Sequence, residues 1–270
     1  MNPLWPARLH HLRRDSPQPE RLAKFYGELL GDRVEPLGGD AWLVAGRDRR
    51  LVVGKGIAGA VPYFALQMQD LAHLASFRQA LEKTEDFRSP LFGEGAFAVA
   101  DPDGRQVVFG LPRKEAHAEG LPGRLQHFVC ATKQLPEMLG FYQGLGMIES
   151  DRVLDQNELT ASFLRSDPEH HSFAAFRAPE SRPDHHCYET NGWTDIRDWA
   201  DRMGRLGIVL WWGPGRHGPG NNLFFMIEDP DGHKVEFSAE LELMPKEVPS
   251  RTWPHEQRTL NLWGSAWMRS

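Results

Sequence analysis

The sequence predicts an α+β protein built from tandem copies of one βαβββ plan, and three observations carry that expectation. A turn of Asp, Pro and Gly opens a β-rich stretch twice, at Asp101-Pro102-Asp103-Gly104 before Val107-Val108-Phe109 and at Asp229-Pro230-Asp231-Gly232 before Val235-Glu236-Phe237. A His-bearing apolar stretch also occurs twice, at Leu9-His10-His11-Leu12 and Leu125-Gln126-His127-Phe128-Val129. An aromatic pair recurs at Phe25-Tyr26 and Phe141-Tyr142. The His stretches and aromatic pairs are offset by 116 residues and the turns by 128, so the second copy holds about a dozen more residues between helix and last strand.

In the first copy, residues 9–12 read as a strand, followed by a helix through Arg21, Leu22, Phe25, Tyr26 and Leu29 that ends near Gly31. Strands follow at 41–44, 51–54 and 63–68, then a helix marked by Leu71, Leu74, Phe77 and Leu81, then strands at 96–100 and 106–109. A polar connector at 113–123 leads to the second copy. There the strands are 125–129, 162–164, 172–176, 185–190 and 223–227, with the closing strand after the second turn. Ile196, Trp199, Ala200, Met203 and Leu206 form a helical stripe that Thr194 or Asn191 is placed to cap, and 213–220 reads as a Gly/Pro loop. The expected boundaries are therefore 1–115 and 121–242, each a pair of βαβββ modules, with a tail at 243–270 that packs on the second domain.

Composition narrows the function. A 270-residue chain with 40% hydrophobic and 25% charged residues is that of a globular protein, and a net charge of −6 without a Lys/Arg run argues against nucleic-acid or anionic-membrane partners. No apolar run is long enough to span a bilayer and residues 1–12 carry no signal-like core, so the protein is expected to be cytoplasmic. Cys130 and Cys187 are too few for a disulfide framework and are expected to be reduced and buried. No dinucleotide fingerprint, P-loop or nucleophile elbow is present.

Chemistry concentrates in the second copy. Glu236 occupies the position held by Val108 in the first, an inward site that would be apolar unless a cation required the carboxylate. With His127 and His185 it would give two imidazoles and one carboxylate, which leaves three positions open on an Fe(II) or Mn(II) ion. Taken alone, each His is more readily explained as an ordinary hydrogen-bonded strand residue and Glu236 as an exposed one.

These stretches resemble the vicinal oxygen chelate superfamily and, within it, the two-module type I extradiol dioxygenases. The strongest motifs lie between Leu125 and Phe237. The resemblance implies two half-barrel domains with the metal site in the C-terminal one and a vestigial N-terminal copy, where His11 remains but Tyr63 or Phe64 and Val108 stand at the other ligand positions. It implies His127 and Glu236 as ligands. It favours His185 over His186 as the third, because Glu189 and Trp193 follow His185 at the family's spacing. His171, in Glu169-His170-His171-Ser172, would serve the oxygen side, and His217 would orient or deprotonate substrate. The position three before Asp229, usually Tyr, is Met226, whose thioether donates no hydrogen bond; Tyr188 or Asn222 would have to substitute. The implied activity is Fe(II)-dependent cleavage of a catecholic ring with dioxygen, in a homo-oligomer. The alternatives are a non-oxidative isomerase or lyase on the same scaffold and a metal-free binding protein.

Overall fold

A computed structural model describes residues 4–113 and 120–268, so most of the expected connector lies outside the described residues. The first sheet comes from two βαβββ modules. One is β1 (Arg8–Ser16), α1 (Pro19–Leu30), β2 (Arg33–Gly38), β3 (Ala41–Ala45) and β4 (Arg50–Lys55). The other is β5 (Tyr63–Gln67), α2 (Leu71–Gln79), β6 (Glu85–Asp86), β7 (Phe97–Ala100) and β8 (Gln106–Gly110). Their strand order, β2-β3-β4-β1-β5-β8-β7-β6, joins the modules through antiparallel β1 and β5, and each of these also pairs in parallel with its own module's last strand.

The second sheet repeats the plan. Its modules are β9 (Arg124–Thr132), α3 (Leu135–Leu145), β10 (Ile148–Asp155), β11 (Glu158–Arg165), β12 (Phe173–Arg177), and β13 (Arg182–Thr190), α4 (Trp193–Arg205), β14 (Trp212–Arg216), β15 (Leu223–Glu228), β16 (Lys234–Ala239). The tail adds β17 (Arg251–Pro254), parallel to β10 at the sheet edge, and the short helix α5 (Gln257–Leu260).

Local sequence explains most boundaries. Pro19 starts α1 with its φ preset and no N–H to satisfy, and Gly31 ends it at φ 71°, a left-handed conformation that costs other residues a steric penalty. On α4 the stripe of Ile196, Trp199 and Met203 is buried, as expected. Its cap differs from expectation: Gly192 is the N-cap, and Asn191 instead donates its amide to Asp195 Oδ2 at 2.7 Å. Residues 213–216, read as part of a loop from their Gly and Pro, lie with Trp212 in the edge strand β14, where a proline's missing N–H is tolerated. The strands β2 and β10 were not expected, since β2 is largely exposed and β10 is mostly polar, so neither carries an apolar alternation.

The domains share one apolar core. Phe64 from the first sheet packs near Phe128 and Phe173 of the second, with centroids 5.2 and 6.0 Å away, and Tyr142 stacks on Phe173 at 3.8 Å. Burying each such ring stabilises the pair by roughly 2–3 kcal/mol. The turns exchange contacts across this core. Tyr26 of the first domain donates to Asp229 Oδ2 at 2.8 Å, beside Arg14 Nη2 at 3.0 Å, while Tyr142 of the second donates to Asp101 Oδ2 at 3.1 Å beside Arg105. In each turn the other oxygen of the same Asp accepts backbone N–H groups, from Asp103 and Arg105 or from Asp231 and His233.

Candidate metal centre

His127 on β9, His185 on β13 and Glu236 on β16 converge because these three strands are neighbours in the second sheet. His127 Nε2 lies 3.3 Å from His185 Nε2 and 3.7 Å from Glu236 Oε2, and His185 Nε2 lies 3.2 Å from the same oxygen. Ligands in cis positions about 2.1 Å from an octahedral ion are roughly 3 Å apart, so the three atoms are spaced as one face of such an ion.

The groups behind the imidazoles set which nitrogen faces the centre. His127 Nδ1 donates to Gln126 Oε1 at 2.5 Å, and His185 Nδ1 to Asp184 Oδ1 at 2.5 Å, so both Nε2 atoms are the ring nitrogens left to face an ion beside Glu236. Gln126 is held in that orientation because its amide N–H groups donate to Glu169 and to the His171 carbonyl. Burial depresses the His127 pKa and works against ionisation of Glu236. For Glu236 burial is outweighed by the imidazoles of His127, His185 and His217, which hold the carboxyl well below its usual range. Burial opposes protonation of His185 too, but Asp184 and Glu236 raise its pKa overall.

The Cys187 thiol also lies within 4.8 Å of ligand atoms of His127 and Glu236. It donates to Ser238 Oγ at 3.1 Å, and burial pushes its pKa far up, so it stands in the site as a thiol and is a poor ligand beside the two imidazoles.

The remaining expected site residues separate clearly. His171 lines the cavity with its ring 4.4 Å from that of His127. His217 also lines it, stacked on Phe224 at 3.8 Å; its Nδ1 donates to the Leu260 carbonyl, which leaves Nε2 bare and 3.7 Å from Glu236 Oε1. Met226 forms part of the wall, in register with Glu236. Asn222 donates to Glu236 Oε1 at 3.2 Å, behind the carboxylate. Tyr188 is not brought to the site. Strand alternation turns it to the other face of β13, where it packs on His186 and Phe237. His186 faces that side as well, bonded to His233 Nε2 at 3.0 Å. The rest of the wall is Val129, Phe163, Phe176, Pro219 and Leu260, the last supplied by the tail.

Sequence reasoning missed Gln126, Asp184 and the tail's Leu260. Gln126 and Asp184 each fall where the β9–β13 register shifts, and these bulges let a residue adjacent to each His reach round to its Nδ1, which strict alternation forbids.

Comparison with known proteins agrees with this architecture. Residues 124–237 match the model of the Glyoxalase/Bleomycin resistance protein/Dioxygenase superfamily. Metapyrocatechase 2 of Cupriavidus necator is 32% identical over 135 residues, which is 50% of this chain and 41% of that protein, so the match spans less than half of the relative's length. Homoprotocatechuate 2,3-dioxygenase from Arthrobacter globiformis superposes with a TM-score of 0.82 at 24% identity, covering 98% of this chain and 91% of that one. The substrate complex of homoprotocatechuate 2,3-dioxygenase from Brevibacterium fuscum, with 3,4-dihydroxyphenylacetate, gives 0.82 at 22% identity over 99% and 93%. The second domain is thus similar to the Glyoxalase/Bleomycin resistance protein/Dioxygenase superfamily, and the two domains together carry the fold of those extradiol dioxygenases.

Proposed function

We propose that the protein is an Fe(II)-dependent extradiol dioxygenase that opens the ring of a catechol. The observation that carries this reading is the convergence of two imidazole Nε2 atoms and one buried carboxylate oxygen within 3.7 Å of one another, with two further histidines lining the same cavity. His127, His185 and Glu236 would hold the ion, with Mn(II) as the alternative. Bound there, it would chelate the substrate oxygens, take dioxygen at a neighbouring position and pass electron density between them. His217 Nε2, bare because Nδ1 donates to the Leu260 carbonyl, is placed to accept a proton from a substrate hydroxyl. Asn222 orients Glu236. The wall of Val129, Phe163, Phe176, Pro219, Met226 and Leu260 offers no cation, so the preferred ring carries an apolar or no substituent. The carboxylate of 3,4-dihydroxyphenylacetate would find no partner among these residues. Dioxygen and this small aromatic compound are the partners, and a cytoplasmic location suits them; among the described residues no helix is long and apolar enough to cross a membrane.

The test is anaerobic reconstitution with Fe(II), addition of catechols from unsubstituted to alkyl-, aryl- and carboxyalkyl-substituted, and admission of oxygen. Oxygen uptake with a yellow ring-fission product is expected, fastest for the uncharged rings. If the metal binds and no catechol consumes oxygen, the reading fails. One observation favours a second reading. Met226 offers the substrate no hydrogen bond where the dioxygenase pattern has Tyr, which a non-oxidative isomerase or lyase would tolerate. Turnover without oxygen uptake would identify it.

A further inference from the structure

The two oxygens of Glu236 face different surroundings. Oε2 lies 3.2 Å from His185 Nε2 and 3.7 Å from His127 Nε2. Oε1 is met from the other side by Asn222, whose amide Nδ2 donates to it at 3.2 Å, and by His217 Nε2 at 3.7 Å. The carboxylate is thus divided, with one oxygen turned to the candidate ligands and the other to the turn between β14 and β15.

That turn explains the division. Its ends are tied where the His217 N–H donates to the Asn222 carbonyl at 3.0 Å, so the two side chains that address Oε1 are placed together. Inside it, Gly220 at φ 77° and Asn221 at φ 52° take left-handed conformations, which glycine and asparagine tolerate better than other residues. Gly220 also leaves room for the amide, since a Cβ there would lie 3.2 Å from Asn222 Oδ1 and 3.0 Å from Leu241 Cδ1.

Asn222 is fully buried, and its Oδ1 has no hydrogen-bond partner among the described residues. An unpaired buried acceptor is destabilising, and an apolar side chain of similar size would avoid it, so stability does not account for an amide at this position. What the amide supplies is its donor. The reversed orientation would set Oδ1 against a carboxylate oxygen, acceptor against acceptor.

The number of open positions gives the division its meaning. Two imidazoles and one carboxylate oxygen occupy one face of an octahedral ion and leave three positions, whereas a carboxylate bound through both oxygens leaves two. A chelating catechol and dioxygen together need three. We propose that Asn222 is a positioning residue that restricts Glu236 to a single metal–oxygen bond and so keeps the third position free. The use of that position for dioxygen rests on the dioxygenase reading above; the ligation does not.

The test counts the water molecules on Mn(II) bound to the whole chain, from the broadening of its EPR lines in 17O-enriched water. Three are expected in the wild type and two in Asn222→Leu, which keeps the volume and removes the donor. Asn222→Thr, whose hydroxyl ends one bond short of the Nδ2 position, should also give two and serves where the Leu variant does not fold. In the Fe(II) enzyme, kcat/KM for dioxygen should fall on the order of 30-fold in either variant while the anaerobic Kd for catechol stays within about threefold, because two positions still suffice for the ring. A merely structural role would weaken both together. Two waters in the wild type, three in a variant, or an undiminished kcat/KM for dioxygen would each overturn the proposal. If the counts are three and two while no catechol consumes oxygen in the wild type, the reaction assigned above is wrong and the role of Asn222 stands.

Discussion

The two domains place equivalent residues at equivalent points of their sheets, and of the two only the second brings two imidazoles and a carboxylate together there. In the second, Cys187 is in register with His127 and with Glu236; in the first, Ala65 is in register with His11 and with Val108. Tyr63 therefore stands where His185 does. The first domain keeps even the bulge, with the register shifting between Leu9 and His11, so His10 holds His11 Nδ1 at 2.8 Å as Gln126 holds His127. What differs is the space that a ligand set would face. Phe92 and Tyr63 pack against His11 at 4.8 and 5.7 Å, and Ser89 lies 3.3 Å from its Nε2. Burial and the neighbouring His10 and Arg50 depress the His11 pKa, and no carboxylate counters them. An oriented imidazole is thus a property of the fold, and a metal site needs the carboxylate and the second imidazole added to it.

The comparison can be broken most completely at Glu236. Glu236→Val copies Val108, and metal content measured after Fe(II) loading should fall from about one ion per chain to near zero, with loss of oxygen uptake. A variant that still binds metal at full stoichiometry would remove Glu236 from the ligand set.

The turns give a smaller, energetic contrast. Asp229→Ala leaves the fully buried Arg14 without its carboxylate, and should cost about 3–5 kcal/mol in urea unfolding. Asp101→Ala should cost less, because Arg105 keeps Asp103 Oδ2 at 3.9 Å. Equal losses would mean that the two turns do equivalent work.

The smallest effect concerns Glu189, whose counterpart in register is Gln67. Burial pushes the Glu189 carboxyl up to about 7 against bonds from Ser238 and the Leu241 N–H. Its folded pKa lies above its unfolded value, so the folded state keeps a proton that the unfolded chain has lost. Its contribution to stability is fully present below about pH 4.3 and declines as pH rises to 7, by roughly 1–3 kcal/mol. Glu189→Gln should flatten the stability profile across that window, and an unchanged slope would assign the dependence to another group.

Much of this was legible in the chain because repetition made it so. The offset copies of Leu9 to Leu12 and of the Asp-Pro-Asp-Gly turn anticipate the two sheets, and the exchange of Val108 for Glu236 marks the second copy as different. His185 and His186 were adjacent candidates, and alternation sends their side chains to opposite faces. The parts that stayed hidden depend on long-range placement. Asp184 and Gln126 act through bulges, whose position follows from pairing between strands rather than from either strand's own pattern. Leu260, Arg251 and Trp253 lie in a tail with no apolar period, yet one caps the cavity and the others reach Asp151. Tyr26 and Tyr142 stand in the sequence as members of a repeated aromatic pair, and only the packed domains show their hydroxyls bonded across the interface.

That crossed pairing of turns and tyrosines amounts to redundancy. Each domain supplies an acceptor to the other and draws on the other's in return, so a fault at one turn leaves the second attachment in place. None of these four residues lines the cavity beside His127, His185 and Glu236. The fastening of the halves is thereby independent of their chemistry, and the first domain can dispense with ligands while it continues to serve as the partner that the second one folds against.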